Sequence, residues 1–273
     1  DKRDWADSRL LRTMCTGEPY SIPRLGDEET VDKLQALRLY GQYRDLITTA
    51  PLEIIYSGSA ELDRVRQALA AAFATLPREE VRTIADAVPH VCRESVQTVE
   101  DEMEVTQGKL GMGFSCGSDD MPALLLGNTL FGGSSNSKLF LNVREKLSLC
   151  YYASSMYHRQ KGIITVSSGI EFQNYQQAYD EILSQLAAVQ NGELEEWELA
   201  GARSTLLNSY ATVGDSQGKL ENFYLGQAAT GRSETPADLA QAVMEVSAER
   251  ICRAMSTVKL DTVYFLKGKE AQA

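Results

Sequence analysis

Residues 132–152 read GGSSNSKLFLNVREKLSLCYY. Leu139, Phe140, Val143 and Leu147 recur at helical spacing, and Tyr151, Ala153, Ser155 and Tyr157 follow at strand spacing. A helix therefore feeds a strand through a tight turn near Ser148. Gly132 and Gly133 separate this helix from an earlier apolar stretch carrying Met121, Leu124, Leu125 and Phe131, so a short flexible loop joins two core-facing helices. Arg144 falls near the end of one element and Tyr151 near the start of the next, seven residues on. Across a turn, both can reach one spot on the surface of the sheet.

Outward from this stretch, residues 94–115 read as two strands. Tyr151–Tyr157 and Gly162–Ile170 read as a hairpin-like pair, and a long amphipathic helix runs through Tyr175, Tyr179, Ile182, Leu186 and Val189. Thr235 with Pro236, and Ser247, have the chemistry of helix starts. Near the other end of the chain, Leu62, Val65, Leu69, Ala72, Phe73 and Leu76 line one face of a helix. A sheet with helices packed on one face gives the expected fold class: α+β, a two-layer sandwich with an antiparallel-rich sheet.

The chain also repeats itself. Residues 26–58 start Gly-Asp-Glu-Glu-Thr, continue helically and close on LEIIYSG; residues 231–268 start Gly-Arg-Ser-Glu-Thr, continue helically and close on LDTVYFLKG. The shared element order points to duplication of one domain plan, complete only in the second copy. The expected division is 1–85 as the C-terminal remnant of a first domain and 90–273 as a complete second one, with a polar connector from Pro77 to Pro89. A strand at Leu52–Ser57 would then lack its sheet neighbours and expose an edge that pairs with a second molecule or docks irregularly onto the complete domain.

At 273 residues the chain is long enough to bury a core, and no apolar run approaches the ~18 residues of a membrane span. No basic-then-apolar leader is read at its start. A net charge of −11 speaks against nucleic acid, whose phosphates need clustered Lys and Arg. Five cysteines, Cys15, Cys92, Cys116, Cys150 and Cys252, are scattered without a C-x-x-C pair, and read as reduced thiols filling the core in a cytoplasmic setting. Gly132 lies after a helix and lacks the Gly-Lys-Ser/Thr partner of a phosphate loop, which excludes nucleotide binding there.

Gly132, Gly133, Ser137, Lys138, Leu139, Phe140, Arg144 and Tyr151, in that order and spacing, resemble the second domain of the pitrilysin/insulinase family of zinc metallopeptidases. That domain carries a Gly-Gly loop, a Ser-Arg/Lys-Leu-Phe helix start, and an Arg followed seven residues later by Tyr. ELEEWELAGARSTLLNSYAT and FYLGQAATG are similar to the family's late helices, so the resemblance spans most of residues 94–273. Ser148 departs from it, since the family usually has glycine there.

The resemblance implies the non-metal, inactive half of a peptidase. Arg144 and Tyr151 become the catalytic candidates, Tyr151 as donor to the oxyanion and Arg144 as substrate anchor. Gly132, Gly133 and Ser134 join them as substrate-binding candidates. The family's zinc motif, His-x-x-Glu-His, is absent: His90 and His158 both fail it and read as solvated loop side chains. No cofactor is therefore expected in this segment, with zinc belonging upstream or on a partner domain. The expected partners are a peptide substrate and either a catalytic subunit or a second copy in a dimer, with no nucleic acid and no membrane. The alternative is a non-catalytic scaffold or peptide-binding subunit.

Overall fold

The continuous apolar run VYFL within LDTVYFLKG suits a strand buried on both faces of the sheet. A computed structural model describes residues 1–83 and 88–269. Helices α1 (Lys2–Met14), α2 (Glu28–Asp32), α3 (Ala36–Thr49) and α4 (Leu62–Phe73) precede strands β1 (Gln97–Met103) and β2 (Gly108–Cys116). After α5 (Met121–Phe131) come a π-helix (Leu139–Lys146) and the antiparallel pair β3 (Cys150–His158) and β4 (Ile163–Ile170). Helices α6 (Tyr175–Gln190), α7 (Glu196–Ala211), α8 (Gln217–Ala229), α9 (Pro236–Met244) and α10 (Ala248–Met255) lead into β5 (Val258–Gly268).

Two units divide the chain. The first comprises Asp1–Pro23, Ala87–Ala211 and Thr235–Ala273, and the second Arg24–Asp86 and Thr212–Glu234. The expected boundary between 85 and 90 falls largely on residues 84–87, outside the described residues. Residues 1–23, expected with the first-domain remnant, group with the sheet instead.

In the first unit the strand order is β1-β5-β2-β4-β3, antiparallel throughout except for β1 alongside β5. Val263 and Phe265 of β5 face the main core with Phe114, Phe131, Ile182 and Ile251, while Tyr264 and Leu266 face Ala6 and Leu10 of α1 on the other side. The sandwich is thus as expected, with α1 added against the opposite face. Phe114 meets Phe131 edge to face at 6.2 Å, and full burial of each such ring contributes about 2–3 kcal/mol. Thr235 closes a capping box with Asp238, and the Ser247 hydroxyl accepts from Arg250 N, so both expected helix starts stand.

In the second unit, Arg78 caps the end of α3 by donating to the Ile47 and Ala50 carbonyls at 2.7 and 2.6 Å. The apolar face of α3 stays exposed, Leu37 at 84%, whereas Val65, Leu69 and Phe73 of α4 are half-buried. The strand expected at Leu52–Ser57 does not form. Among the described residues no strand lies beside this segment, and a strand without a partner leaves its backbone groups to water. The two repeat copies agree in their helices and part at this element.

Candidate functional site

The approach to the site is set by α5, whose first turn is held by the Asp120 carboxylate accepting from Ala123 N and whose sides are apolar nearly all round. At its end the Gly132 carbonyl accepts from Ser155 N of β3 at 2.9 Å. A Cβ on Gly132 would sit 2.7 Å from both Ser155 N and Ser155 Oγ, so only glycine permits this approach. Lys138 then turns inward. Its ammonium lies 3.0 Å from both oxygens of Glu198 on α7, with the two residues 8% and 7% exposed. Glu198 also accepts from Glu195 N, so the buried charge is fully engaged.

The expected helix over 139–147 is a π-helix. Leu147 N donates to Asn142 O across five residues and Leu149 N to Val143 O across six. Leu139 and Val143 stay in the core, but the wider turn rotates Leu147, expected on the buried stripe, out to the surface. Arg144 lies on the last turn. Its guanidinium rests over the Phe140 ring, 4.5 Å from the centroid, and 3.4 Å from the Glu145 carboxylate.

Ser148 follows with φ of +51°, the one non-glycine residue at positive φ among the described residues. The chain then enters β3 through a bulge: Cys150 pairs with Ile170 and Tyr152 with Gly169, leaving Tyr151 without a ladder partner. Cys150 and Ala153 both reach the core as a result. Tyr151 is pushed out to 62% exposure, and its hydroxyl donates to Glu171 Oε1 at 2.8 Å. That hydrogen bond, together with the carboxylate charge, raises the Tyr151 phenol above its ordinary value.

Arg144, Glu145, residues 148–151 and Glu171 line one open cleft of about 450 Å³. The sequence brought Arg144 and Tyr151 to one spot, and the structure puts both on this cleft. It does not bring Gly132, Gly133 and Ser134 into the same lining. Gly132 is buried against β3, and the Ser134 hydroxyl donates to the Thr129 carbonyl at 3.3 Å. Glu171 escaped sequence reading. Its one signal was a carboxylate just past a strand whose neighbour starts at Cys150.

Neither histidine is the solvated side chain expected. His90 is buried, with Nδ1 2.8 Å from Glu18 and Nε2 3.2 Å from Asp261. Half-buried His158 bonds Tyr20 Oη at 2.9 Å and Thr165 Oγ1 at 3.0 Å, and burial lowers its pKa.

Cys15, Glu18 and His90 bring their ligand atoms within 4.8 Å of one another. They do not suit zinc. Burial pushes the Cys15 thiol up to about 11, both His90 nitrogens already face carboxylates, and the Lys161 ammonium lies on Glu18. A cation there would have to displace another cation, so the cluster is a buried ion-pair network. The raised thiol likewise lacks the thiolate character of a nucleophile, although His90 is close to it.

Residues 33–206 match the family described as Peptidase M16 inactive domain. A curated relative from Bacillus subtilis (strain 168), "Probable inactive metalloprotease YmfF", is 36% identical over 276 residues, covering 99% of this chain and 64% of its own length. A conserved protein from Enterococcus faecalis V583 superposes with a TM-score of 0.89 at 26% identity, over 100% of this chain and 65% of that one. A peptidase M16 inactive domain from Pseudomonas fluorescens gives 0.80 at 17% identity, over 100% and 68%, which bears on the fold alone. The chain thus spans just under two thirds of the length of the first two. No helix among the described residues is long and apolar enough to cross a membrane.

Proposed function

Because the chain belongs to the peptidase M16 family, matching its inactive domain, we propose that it supplies the substrate side of a peptide site whose zinc is held upstream or on a partner chain. Zinc there would supply the activated water. This chain's residues would bind and orient the peptide. Tyr151 donates its phenol proton toward the carbonyl oxygen, where negative charge develops during hydrolysis, and Arg144 anchors the peptide by its guanidinium.

One observation carries this reading. Between residues 139 and 152 the chain departs from regular structure three times, in a π-helix, a left-handed serine and a β-bulge, and all three lead to the cleft that Arg144 and Tyr151 share. Bulges re-aim side chains and π-turns recur at functional sites, whereas a purely structural stretch has no need of three irregular turns. A second reading, a peptide-binding scaffold without catalysis, is favoured by the description of the Bacillus subtilis relative as probably inactive. Both readings place peptide in the same cleft.

The test is binding of a labelled pool of capped, unstructured decapeptides to the chain and to its Tyr151→Phe and Arg144→Ala variants. Each substitution removes a donor from an exposed side chain, so the fold should survive and affinity should fall roughly threefold to tenfold. Unchanged affinity in both would sink the reading. Hydrolysis by the chain joined to a zinc-bearing partner separates the two versions. Loss of an oxyanion donor costs about 10²–10³ in turnover, while the scaffold version leaves turnover unmoved.

A further inference from the structure

We infer that Glu171 is a second peptide-binding residue of the cleft, and that Glu171 and Tyr151 together clamp the main chain of one extended residue, Glu171 accepting its N–H while Tyr151 donates to its C=O. The inference rests on the reading of Tyr151 as a substrate donor.

The backbone fixes both groups. Ile170 pairs with Cys150, so Glu171 leaves β4 where β3 begins and stands diagonal to Tyr151 across the strand pair. The Glu171 carbonyl accepts from Asn174 N at 2.9 Å, which holds the segment just beyond the ladder. The bulge swings Tyr151 toward it, and the two side chains meet at 2.8 Å over the cleft.

A phenol has one proton to give, and in the resting chain it goes to Glu171. A bare carbonyl entering the cleft would have to take that proton while leaving the carboxylate with nothing in return. An extended residue turns its own N–H and C=O to the same side, so one hydrogen bond is exchanged for two. The pair therefore selects main chain over isolated acceptors, and it does so without reading side chains. Arg144, over Phe140 and beside Glu145, supplies the charge that holds a further carbonyl.

The test uses the tightest-binding decapeptides of the pool and their analogues in which one backbone amide is replaced by an ester, which lacks the N–H. Wild-type chain should bind the amide form roughly fivefold or more better than the ester at one position. Glu171→Leu should erase most of that preference, and Glu171→Gln, which keeps a neutral acceptor, should retain part of it. A role confined to holding Tyr151 would weaken amide and ester alike and leave their ratio intact, and that result overturns the inference. So does a Glu171→Leu chain that binds both forms more tightly, for then the carboxylate is only a competitor. If Tyr151→Phe and Arg144→Ala leave binding unchanged, the proposed function fails and this inference with it; if they weaken binding while the ratio ignores Glu171, only this inference fails.

Discussion

Ser148 sits in the left-handed region, where a Cβ crowds the following carbonyl at a cost of about 1–2 kcal/mol. The sequence placed a turn there because the period of the apolar residues changes, and it marked Ser148 as the departure from the family's glycine. The sign of φ was not legible, since serine gives no hint of it. Ser148→Gly removes the crowding but frees the unfolded chain, so the net gain expected in denaturant unfolding is about 0.5–1 kcal/mol. Ser148→Val, β-branched at the same φ, should lose stability. His90 shows the opposite limit of reading one residue. Its partners Glu18 and Asp261 lie 72 and 171 residues away, and no local pattern announces them.

Elements with strong local signals were legible: the amphipathic face of α6, the caps at Thr235 and Ser247, and the closing strand LDTVYFLKG. What escaped was the local pitch. Spacing of Leu139, Phe140 and Val143 fits an α-helix as well as a π-helix, and a bulge at Tyr151 leaves no trace in a strand's composition. Segment 52–57 was misread because a strand is a property of a pair: its missing neighbours are foreseen in the sequence, yet its apolar letters still read as a strand. The π-helix is tied to α7 by Lys138 and Glu198. Lys138→Met should cost about 3–5 kcal/mol in unfolding free energy, because it strands a buried carboxylate. Replacing both residues by apolar ones should recover much of that loss.

Across the whole molecule, the sheet unit buries a continuous core, while the second unit leaves the apolar face of α3 open. Composition and length foretold a core but not its uneven distribution. The core also sets how stability responds to alkali. Burial pushes the Cys116 thiol from 9.0 up to about 12. Below pH 9 both states keep the proton and the contribution is complete; above it the unfolded chain releases the proton first, so stability falls with pH until about 12. The slope from one such group reaches about 1.4 kcal/mol per pH unit. Cys15, pushed up to about 11, acts in the same direction. Unfolding midpoints measured from pH 8 to 11 should decline, and more shallowly in Cys116→Ala.

That the cleft of Arg144 and Tyr151 takes peptide is tested most directly by photocrosslinking: decapeptides carrying a benzophenone are irradiated with the chain and the adducts mapped by mass spectrometry. Adducts are expected at residues 144–151 and 171, and they should be lost in the Arg144→Ala/Tyr151→Phe double variant. Adducts concentrated elsewhere and indifferent to that double substitution would contradict it.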